Sequence, residues 1–545
     1  MRNDGGVNTT SPRAPESVDA VVIGGGHHGL VAATALADAG WDVVLLEARD
    51  QVGGAIASVN RDGWVMDEFS ACHPLAVASP VLRALGLEDH GLRWCRSDVV
   101  VAHAGSPHDP EGAVIHRDPE VTAAHLAEEH SADGRAWLDL VAEWQRIRAP
   151  FVESLLTRWP PIGPGAKLAR AVGPTDLARL VRFLLLSTTR MGEEAFRGER
   201  GRMLLAGNAM HADVPPDAPG SGVFGWLLAM LAQDVGFPSP RGGSGRLAEA
   251  LGSRARQAGV RVTTRDAAVA IDVRSGRAHS VHTAAGRTYR VRRAVIADTS
   301  APALYGRLLD ESAVPRKLRA ELDRFAWDLP TVKLNYRLRA TVPWTARHSR
   351  TAGVVHVGAD SAGLVHWAAD LATGRIPQRP FALVGQMSTI DPSRSPAGTQ
   401  AMWLYTHLPR GVTDDASAEL LVEHTEAMLD AFAPGWRDLV LDRWVQRPSD
   451  LEAADANLTG GAVGGGTSQL FQQLIFRPVT GVGGPRTHIE NLYLGSAAIH
   501  PGGGVHGACG YLAARAALAD QRWWGRSRRD AALGALHQMY GRVRR

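Results

Sequence analysis

Cysteine is scarce in this sequence, and the few cysteines form no motif. Three occur among 545 residues, at Cys72, Cys95 and Cys509. Their wide spacing excludes a C-x-x-C redox pair and makes a disulfide scaffold implausible. Such sparing use of cysteine is typical of a reducing compartment, so we expect a cytoplasmic protein.

Long apolar runs and an excess of one charge are also missing. No run of about 18 apolar residues occurs, so we expect no membrane-spanning helix. Residues 1–17 are polar and lack the apolar core of a signal peptide, which predicts a disordered N-terminus. The 59 basic residues nearly balance the 56 acidic ones, which argues against nucleic acid as a partner. Neither a zinc-ligand spacing nor a Ser-His-Asp pattern occurs, so we expect no metal site.

The stretch from residue 18 to residue 47 has the pattern of a dinucleotide-binding βαβ unit. In order it contains the apolar strand 20–23, the glycines Gly24, Gly26 and Gly29, a segment of helical period, the apolar strand 43–46 and the acid Glu47. A glycine triplet alone is weak evidence, but a triplet in register with strand, helix, strand and acid is specific.

Each member of this unit has a physical role. Gly24 allows a tight turn, Gly26 lets the backbone approach a pyrophosphate, and Gly29 lets helix and strand pack closely. The helix N-terminus offers N–H groups and a positive dipole end to the phosphates. Glu47, 18 positions after Gly29, is placed to accept hydrogen bonds from a ribose hydroxyl.

A second glycine pair, Gly53 and Gly54, follows the acid. A flavin-binding domain uses such glycines for another close approach to its cofactor, whereas a nicotinamide domain has no need of them. An ordinary turn is the alternative, because Gly-Gly is common in loops.

Glycines precede a helix once more near the C-terminus. A short buried strand over 492–494 leads to Gly502–Gly504 and to an alanine-rich helix over 510–518. The N–H groups at such a helix start suit the negative charge of a reduced flavin ring. A capped loop without a ligand is the alternative.

Four segments together resemble the phytoene-dehydrogenase-related flavoproteins, within the amine oxidase and carotenoid desaturase superfamily. They are "VVIGGGHHGLVAATALADAGWDVVLLEARDQVGGA", "PRGGSGRLAEAL" with "VRVTTRDAAVAI", "LTGGAVGGG…LFQQLIFRP" and "NLYLGSAAIHPGGGVHGACGYLAARAAL". Within the family, the resemblance is strongest to the branch of pyridine nucleotide-disulfide oxidoreductase domain-containing protein 2. The likeness is thin over residues 119–230, and no disulfide motif accompanies it.

The resemblance implies a non-covalent FAD and, position by position, the residues that contact it. The implied cofactor residues are Gly24, Gly26, His27, Gly29, Glu47, Ala48, Gly53, Gly54, Val269, Gly495, Gly503, Gly504 and Val505. Val269 would meet the adenine through its backbone, and the last four would line the ribityl chain and flavin. His28 stands where the family more often has another polar residue, which leaves its role open.

Catalytic residues are harder to identify, because a flavin needs little acid–base help. His500 and His506 flank the glycine run and are candidate polar groups beside the flavin. His73 is a candidate base, although a loop histidine bonded to backbone is the simpler interpretation. Lys333 would reach the flavin through a water if it acts like the lysine of amine oxidases; a solvated strand lysine is the alternative.

The predicted fold class is α/β. A Rossmann-like FAD-binding domain, with a parallel sheet and a small antiparallel layer, is joined to an α+β substrate domain. We expect the first domain to comprise residues 18–118, 236–305 and 471–530, and the second to comprise 119–235 and 306–470. Residues 531–545 would form a basic tail.

The C-terminal segment carries seven arginines from Arg522 onwards against one acid, Asp530, with Trp523 and Trp524 near its start. Such a segment favours peripheral contact with an anionic membrane; a solvated terminal helix is the alternative.

These patterns predict an FAD-dependent oxidoreductase that removes hydride from a small, largely apolar substrate and is reoxidised by quinone or oxygen. A flavin amine or alcohol oxidase stays open, as does an FAD-bound regulatory protein with little turnover. We do not expect NAD(P)H as reductant, because no second glycine triplet is complete. The oligomeric state is not indicated.

Overall fold

The structure is a computed structural model, and it describes residues 14–541. Among these residues the strands are Glu16–Ile23 (β1), Val43–Leu46 (β2), Ser58–Arg61 (β3), Trp64–Asp67 (β4), Trp94–Cys95 (β5), Val99–Ala104 (β6), Ala113–His116 (β7), Ser239–Pro240 (β8), Arg261–Thr263 (β9), Ala268–Arg274 (β10), Arg277–Thr283 (β11), Thr288–Ala297 (β12), Thr331–Leu338 (β13), Ala352–Val357 (β14), Ala382–Gln386 (β15), Gln400–His407 (β16), Val440–Gln446 (β17) and Leu492–Leu494 (β18).

The α-helices alternate with these strands and also form an all-helical stretch between β7 and β8. They are His27–Asp38 (α1), Pro74–Ala78 (α2), Pro80–Arg83 (α3), Pro119–Glu129 (α4), Ser131–Leu155 (α5), Ile162–Val172 (α6), Leu177–Leu185 (α7), Thr188–Ala195 (α8), Glu199–Ala209 (α9), Ser221–Asp234 (α10), Gly245–Gln257 (α11), Ala301–Ala303 (α12), Arg316–Leu322 (α13), Ser361–Ala372 (α14), Met387–Ile390 (α15), Asp415–Phe432 (α16), Pro448–Ala454 (α17), Ala508–Asp520 (α18) and Trp523–Tyr540 (α19). Between residues 14 and 541, none of these helices has the length and apolar character needed to cross a bilayer.

The first sheet is centred on β1, in the order β10-β11-β12-β1-β2-β9. β1 runs parallel to β2 and to β12, and Val21 pairs with Val44 on one side and Val295 on the other. Its residues from Val18 onwards are buried because helices cover both faces of the sheet. Burial on both faces explains why residues 20–23 of β1 form a continuous apolar run.

β12 is long enough to have two partners on its outer edge. Its first half pairs antiparallel with β11, and its last three residues pair parallel with β18. The predicted antiparallel element is therefore present as a branch of the parallel sheet, and the α/β fold class is confirmed.

The second sheet has the order β17-β13-β16-β15-β14-β6-β7 and is antiparallel except between β14 and β6. The alternation of "TVKLNYRL" correctly predicts a strand, but both faces of β13 are covered. Helix α16 and Trp436 pack on one face, and residues near the β3–β4 hairpin cover the other.

Some domain boundaries differ from those expected. The hairpin β6–β7, expected in the FAD-binding domain, pairs within the second sheet. Residues 304–322, placed mostly in the substrate domain, pack on the first sheet instead. Strand pairing and packing, which the sequence does not show directly, assign these segments to their sheets.

The two chain ends also differ from expectation. Glu16 and Ser17 already belong to β1, while the disorder predicted for residues 1–13 lies outside the described residues. The expected tail is helical as far as Tyr540, because Leu536 and Tyr540 are buried against the first core. Arg542, Arg544 and Arg545 lie outside the described residues.

Candidate functional site

The glycine triplet forms a tight turn between β1 and α1. Gly24 has a φ of 98°, a conformation that favours glycine. A Cβ on Gly29 would lie 2.0 Å from the carbonyl oxygen of Gly24, so the first turn of α1 rests directly on the end of β1. The close packing predicted for the third glycine is present.

The second glycine pair lies against this turn. The Gly53 N–H donates to the carbonyl oxygen of Gly25 at 2.8 Å. A Cβ on Gly54 would be 3.2 Å from the Cα of Gly26, and both Gly53 and Gly54 have positive φ. The two glycine segments thus pack directly against each other. An ordinary surface turn has no need of such close backbone packing.

Glu47 closes the turn from the end of β2. One carboxylate oxygen accepts the N–H of Gly25 at 2.7 Å, and the other accepts the N–H of Arg49 at 2.8 Å. Burial raises the pKa of Glu47, and the two backbone donors oppose that effect. Ala48, between the two anchors, is exposed. Ribose recognition by Glu47 stays a prediction.

Val269 lies close to this acid along the chain. The N–H of Asp266 donates to the carbonyl oxygen of Glu47 at 3.0 Å, and Val269 follows three residues later at the start of β10. Its side chain is 48% exposed, which leaves contact through the backbone as its predicted role.

The C-terminal glycine run meets the first turn of α1 directly. His27 Nε2 lies 3.2 Å from the carbonyl oxygen of Gly504, 477 positions away in the chain. A Cβ on Gly510 would be 1.9 Å from the carbonyl oxygen of His28, so α18 and α1 touch at their first turns. Residues at both ends of the sequence therefore build one site.

The neighbours of the glycine run are also closely packed. A Cβ on Gly503 would lie 2.6 Å from the carbonyl oxygen of Gly464, and one on Gly495 would lie 2.7 Å from Ile296. Val505 is buried in the same core cluster as α1 and α18. The structure brings these predicted residues together; their contact with a cofactor remains a prediction.

Asp298 is a member of this site that the sequence patterns missed. It follows directly after β12, and its carboxylate accepts the N–H of Gly29 at 2.7 Å. The carboxyl is buried, which raises its pKa to about 8. An acid at the end of the buried run "AVIAD" was the available signal, as it was for Glu47 at the end of β2.

Asn457 connects the same region to the segment after α17. Its amide nitrogen donates to the carbonyl oxygen of Asp298 at 3.2 Å, and its amide oxygen accepts the N–H of Ser300 at 2.9 Å. The carboxylate of Asp455 lies next to Gly54, with Oδ2 3.5 Å from the position that a Cβ on Gly54 would occupy. No local pattern distinguishes these two residues from ordinary loop residues.

Lys333 is buried, so the expectation of a solvated strand lysine is wrong. Its Nζ donates to the backbone carbonyl oxygens of Asp67 at 2.5 Å and Glu68 at 3.0 Å. Burial lowers its pKa to about 8. The lysine therefore joins the second sheet to the β3–β4 hairpin.

His73 belongs to the same network. Its Nε2 lies 2.8 Å from Ser244 Oγ, so its partner is a side chain and the simpler interpretation, a bond to backbone, is also wrong. The N–H of Ser244 donates to the Asp67 carboxylate at 2.8 Å. Burial lowers the pKa of His73 to about 4, so the ring is neutral at neutral pH.

Asp67 and Arg394 form the centre of this network, and both side chains are fully buried. The guanidinium donates to the carboxylate at 2.5 Å and to the carbonyl oxygen of Val65 at 3.0 Å. Burial alone would raise the pKa of Asp67, but Arg394 and the other donors hold it below its usual value. Neither residue belongs to a motif in the sequence.

His500 and His506 are both buried beside the glycine run. His506 Nδ1 accepts the N–H of Ala508 at 3.0 Å, and Nε2 lies 3.2 Å from the carbonyl oxygen of Gly502. Within residues 14–541, the ring nitrogens of His500 make no hydrogen bond of normal geometry. Burial lowers their pKa values to about 3 for His506 and about 4 for His500, so neither ring carries a charge at neutral pH.

His506 also lies near His28 and Cys509, and the ligand atoms of the three fall within 4.8 Å of one another. The ring of His506 is already engaged, and Cys509 Sγ lies 3.7 Å from the carbonyl oxygens of Ile499 and Gly502. Of these three side chains, His28 alone has both ring nitrogens without a hydrogen-bond partner among the described residues. Two of the three potential ligands are thus already engaged with the backbone.

Comparison with known proteins agrees with this geometry. Residues 29–518 match the family model for flavin containing amine oxidoreductase. The chain is 26% identical to pyridine nucleotide-disulfide oxidoreductase domain-containing protein 2 of Rattus norvegicus, over 92% of this chain and 93% of the relative. It is 27% identical to a zeta-carotene-forming phytoene desaturase of Myxococcus xanthus, over 89% and 90% of the two chains.

A solved structure shows the same fold. An oxidoreductase from Methanosarcina mazei aligns with a TM-score of 0.59 at 15% identity, covering 92% of this chain and 99% of the other. The family match spans most of the chain, including the helix of the first glycine motif and that of the last. The chain belongs to the flavin-containing amine oxidoreductase family and is an FAD-dependent oxidoreductase.

Proposed function

We propose that the enzyme removes a hydride from a largely apolar substrate and leaves a desaturated or otherwise oxidised product. The observation that supports this proposal is an aromatic surface on one face of the second sheet. The rings of Trp403 and Tyr405 stack there with centroids 5.9 Å apart, and Tyr405 pairs with Lys333 across β16 and β13. A phytoene desaturase among the relatives supports the same substrate class.

A series of contacts connects this aromatic face to the part of the molecule that carries the glycine turn. Lys333 binds residues 67 and 68, which continue from the β3–β4 hairpin, and the hairpin residue Ser58 accepts the N–H of Gly245 at 2.9 Å. The cluster around Trp403 is rich in apolar side chains, among them Trp64, Met66, Trp367, Phe381 and Leu383. A substrate held against this buried cluster is expected to be apolar, because its surface would be removed from water there.

The residues of the glycine turn suit FAD. Gly26 has an ordinary backbone conformation, with φ −65° and ψ 172°, which any residue can adopt. Glycine is therefore needed here for the space that a side chain would fill, and not to relieve backbone strain. When bound, FAD supplies the hydride acceptor and passes electrons on to quinone or oxygen. Gly24, Gly26 and Gly29 would hold its pyrophosphate, and Gly503, Gly504 and Val505 would hold its flavin end.

A flavin amine or alcohol oxidase is the second candidate. The stacked pair of Trp403 and Tyr405 is suited to flank a substrate cation, since aromatic faces attract ammonium groups. Lys333, with a pKa near 8, could exchange a proton close to such a group. A bound FAD with little turnover would instead indicate a regulatory role.

The first experiment follows the flavin absorbance of the purified protein without oxygen. We expect NADH and NADPH to leave the flavin oxidised and an apolar polyene to bleach it. Bleaching by a primary amine or an alcohol instead would select the oxidase. Immediate bleaching by NADPH would overturn the proposal, and protein without flavin that cannot take up FAD would overturn the cofactor assignment as well. Reoxidation by quinone or by oxygen then identifies the acceptor.

We also propose that the enzyme contacts an anionic membrane surface, where an apolar substrate collects. The C-terminal segment is the surface expected from the sequence, and Trp523 there is 84% exposed. Helices α6 and α7 carry a larger exposed apolar surface. Leu177, Val181 and Leu185 form a stripe on α7 with exposures of 39%, 50% and 56%.

Neighbouring residues extend the α7 stripe. The Gly220 N–H donates to the carbonyl oxygen of Leu185, and Leu470 lies 3.1 Å from the position of a Cβ on Gly220. Phe471, beside Leu470, is 63% exposed. Residues 157–190 carry six basic residues and one acid, and three of the basic residues, Lys167, Arg182 and Arg190, pair with the acids Glu153, Glu193 and Glu194 just outside this stretch. Exposed apolar groups flanked by basic residues are typical of peripheral membrane contact.

Sedimentation with lipid vesicles tests which surface binds. We expect Val181→Glu to weaken binding to vesicles containing phosphatidylserine by about tenfold or more, because it removes apolar contact and adds repulsion. Trp523→Glu is the matched control on the other surface and should change binding little. The reverse result would assign membrane contact to the C-terminal helix. Equal binding by the wild type and both variants would show that neither surface contacts the membrane.

A further inference from the structure

Asp298 lies inside the glycine turn and is almost entirely buried. Its Oδ2 accepts the N–H of Gly29 at 2.7 Å and lies 2.8 Å from the position that a Cβ on Gly26 would occupy. The residue is 7% exposed. The carboxyl thus sits beside the glycine whose role is to admit a pyrophosphate.

The charges around Asp298 make an ionised carboxylate costly there. The groups that act on it electrostatically are Glu47, from the end of β2, and Asp455, from the segment after α17; both are acids. Cys509, from α18, is a buried thiol. Arg49 acts electrostatically on Glu47 and Asp455, and it is paired with Glu68 at 3.0 Å. Asn457 contacts only the backbone oxygen of Asp298.

We propose that Asp298 is a nucleotide-binding residue that carries a proton whenever FAD is bound, so that FAD affinity falls when this proton is lost. The protonated carboxyl accepts from Gly29 with Oδ2, and an O–H on Oδ1 would donate to a phosphate oxygen. An ionised carboxylate beside the phosphate would repel it instead. The inference rests on the proposed position of FAD at the glycine turn.

The direction of the pH dependence follows from linkage. Burial raises the pKa of Asp298 in the free protein to about 8, and a bound pyrophosphate raises it further. Below about pH 8 the carboxyl is protonated in both states, so the dissociation constant is independent of this group. Above it, binding takes up one proton, and the dissociation constant rises by about tenfold per pH unit.

The test measures FAD release from the holoenzyme by dilution, using the flavin fluorescence that appears on release. The range extends two pH units on each side of about pH 8, with circular dichroism to confirm that the protein stays folded. We expect the wild type to show a rise of about tenfold per unit above that value. Asp298→Asn should show no such rise, because the amide can still accept and donate but cannot ionise.

Two further variants separate Asp298 from its surroundings. Glu47→Gln removes a neighbouring acid that raises the pKa of Asp298, so this variant should keep the rise but show it at lower pH. Asp298→Ala should bind FAD more weakly at every pH and show no rise. A wild type without the rise, or an Asp298→Asn protein that keeps it, would overturn the inference. If Gly26→Val also retained FAD, the proposed cofactor position would fail too; if it released FAD, only the role of Asp298 would be lost.

Discussion

Gly26→Val is expected to yield a folded protein that is purified without flavin. The backbone of Gly26 has φ −65° and ψ 172°, which valine adopts without strain. Among the described residues, its Cβ would meet only the carboxyl group of Asp298, at 2.8 Å. Because only this side chain has to shift, the cost in folding free energy should be about 1 kcal/mol. The side chain would, however, fill the space in which the backbone approaches the pyrophosphate.

The measurement is the ratio of flavin to protein absorbance after purification and after incubation with added FAD. Gly534→Val is the matched control, because Gly534 lies in α19 and a Cβ there would meet nothing within 4 Å. Gly29→Ala should behave differently. Its Cβ would lie 2.0 Å from a backbone oxygen, so destabilisation of about 3 kcal/mol should accompany FAD loss. Full flavin content in the Gly26 variant would mean that the turn has been misinterpreted.

The glycine turn could be predicted because its requirements are local. A strand, a turn with positive φ, and a helix start each need particular residues at fixed spacing, and Gly24, Gly29 and Glu47 supply them within one short stretch. The glycine run at the C-terminus could be predicted for the same reason. Their contact across 477 positions follows from the parallel pairing of β1, β12 and β18.

Asp298, Asn457 and the Asp67–Arg394 pair could not be predicted in this way. Each acquires its role from a partner far along the chain: Asp67 and Arg394 are 327 positions apart, and Asp298 and Gly29 are 269 apart. The position of Asp298 at the end of a buried strand marks it as a candidate, but that position does not identify Gly29 as its partner. Asn457 and the Asp67–Arg394 pair have no local signal at all, and only the three-dimensional packing reveals them.

Lys333 illustrates a second limit. Alternation along β13 predicts one covered face and one solvated face, and the lysine would belong to the solvated one. The residues after the β3–β4 hairpin cover that face and offer two carbonyl oxygens to Nζ. Hydrophobic periodicity shows that a strand forms, but it does not show whether a distant segment covers its polar side.

The largest effect on stability is expected from Arg394→Met. The variant leaves the carboxylate of Asp67 buried without its cation, and breaking a fully buried pair in this way costs about 3–5 kcal/mol. Denaturant unfolding of the holoenzyme at neutral pH measures the loss. Arg135→Met is the matched control: its ion pair with Asp139 is exposed, with side-chain exposures of 80% and 60%, and should contribute about 1 kcal/mol or less.

The pH dependence identifies the cause of that loss. In the wild type the pKa of Asp67 is held below its usual value, so the pair stabilises the fold above the usual aspartate pKa and loses this contribution as pH falls. Without Arg394, burial raises the pKa of Asp67 above that of the unfolded chain, so the penalty should grow with rising pH and shrink towards acid pH. A penalty independent of pH would indicate lost packing instead.

Asp67→Asn in the Arg394→Met background completes the cycle. The amide keeps the shape of Asp67 and its contact with the Ser244 N–H but needs no cation, so we expect recovery of part of the lost stability. The pair also has a structural role in positioning its neighbours. The backbone oxygen of Asp67 accepts from Lys333, and its carboxylate accepts from the N–H of Ser244, whose hydroxyl contacts His73, so this one residue connects the aromatic face of the second sheet to the part of the molecule that carries the glycine turn.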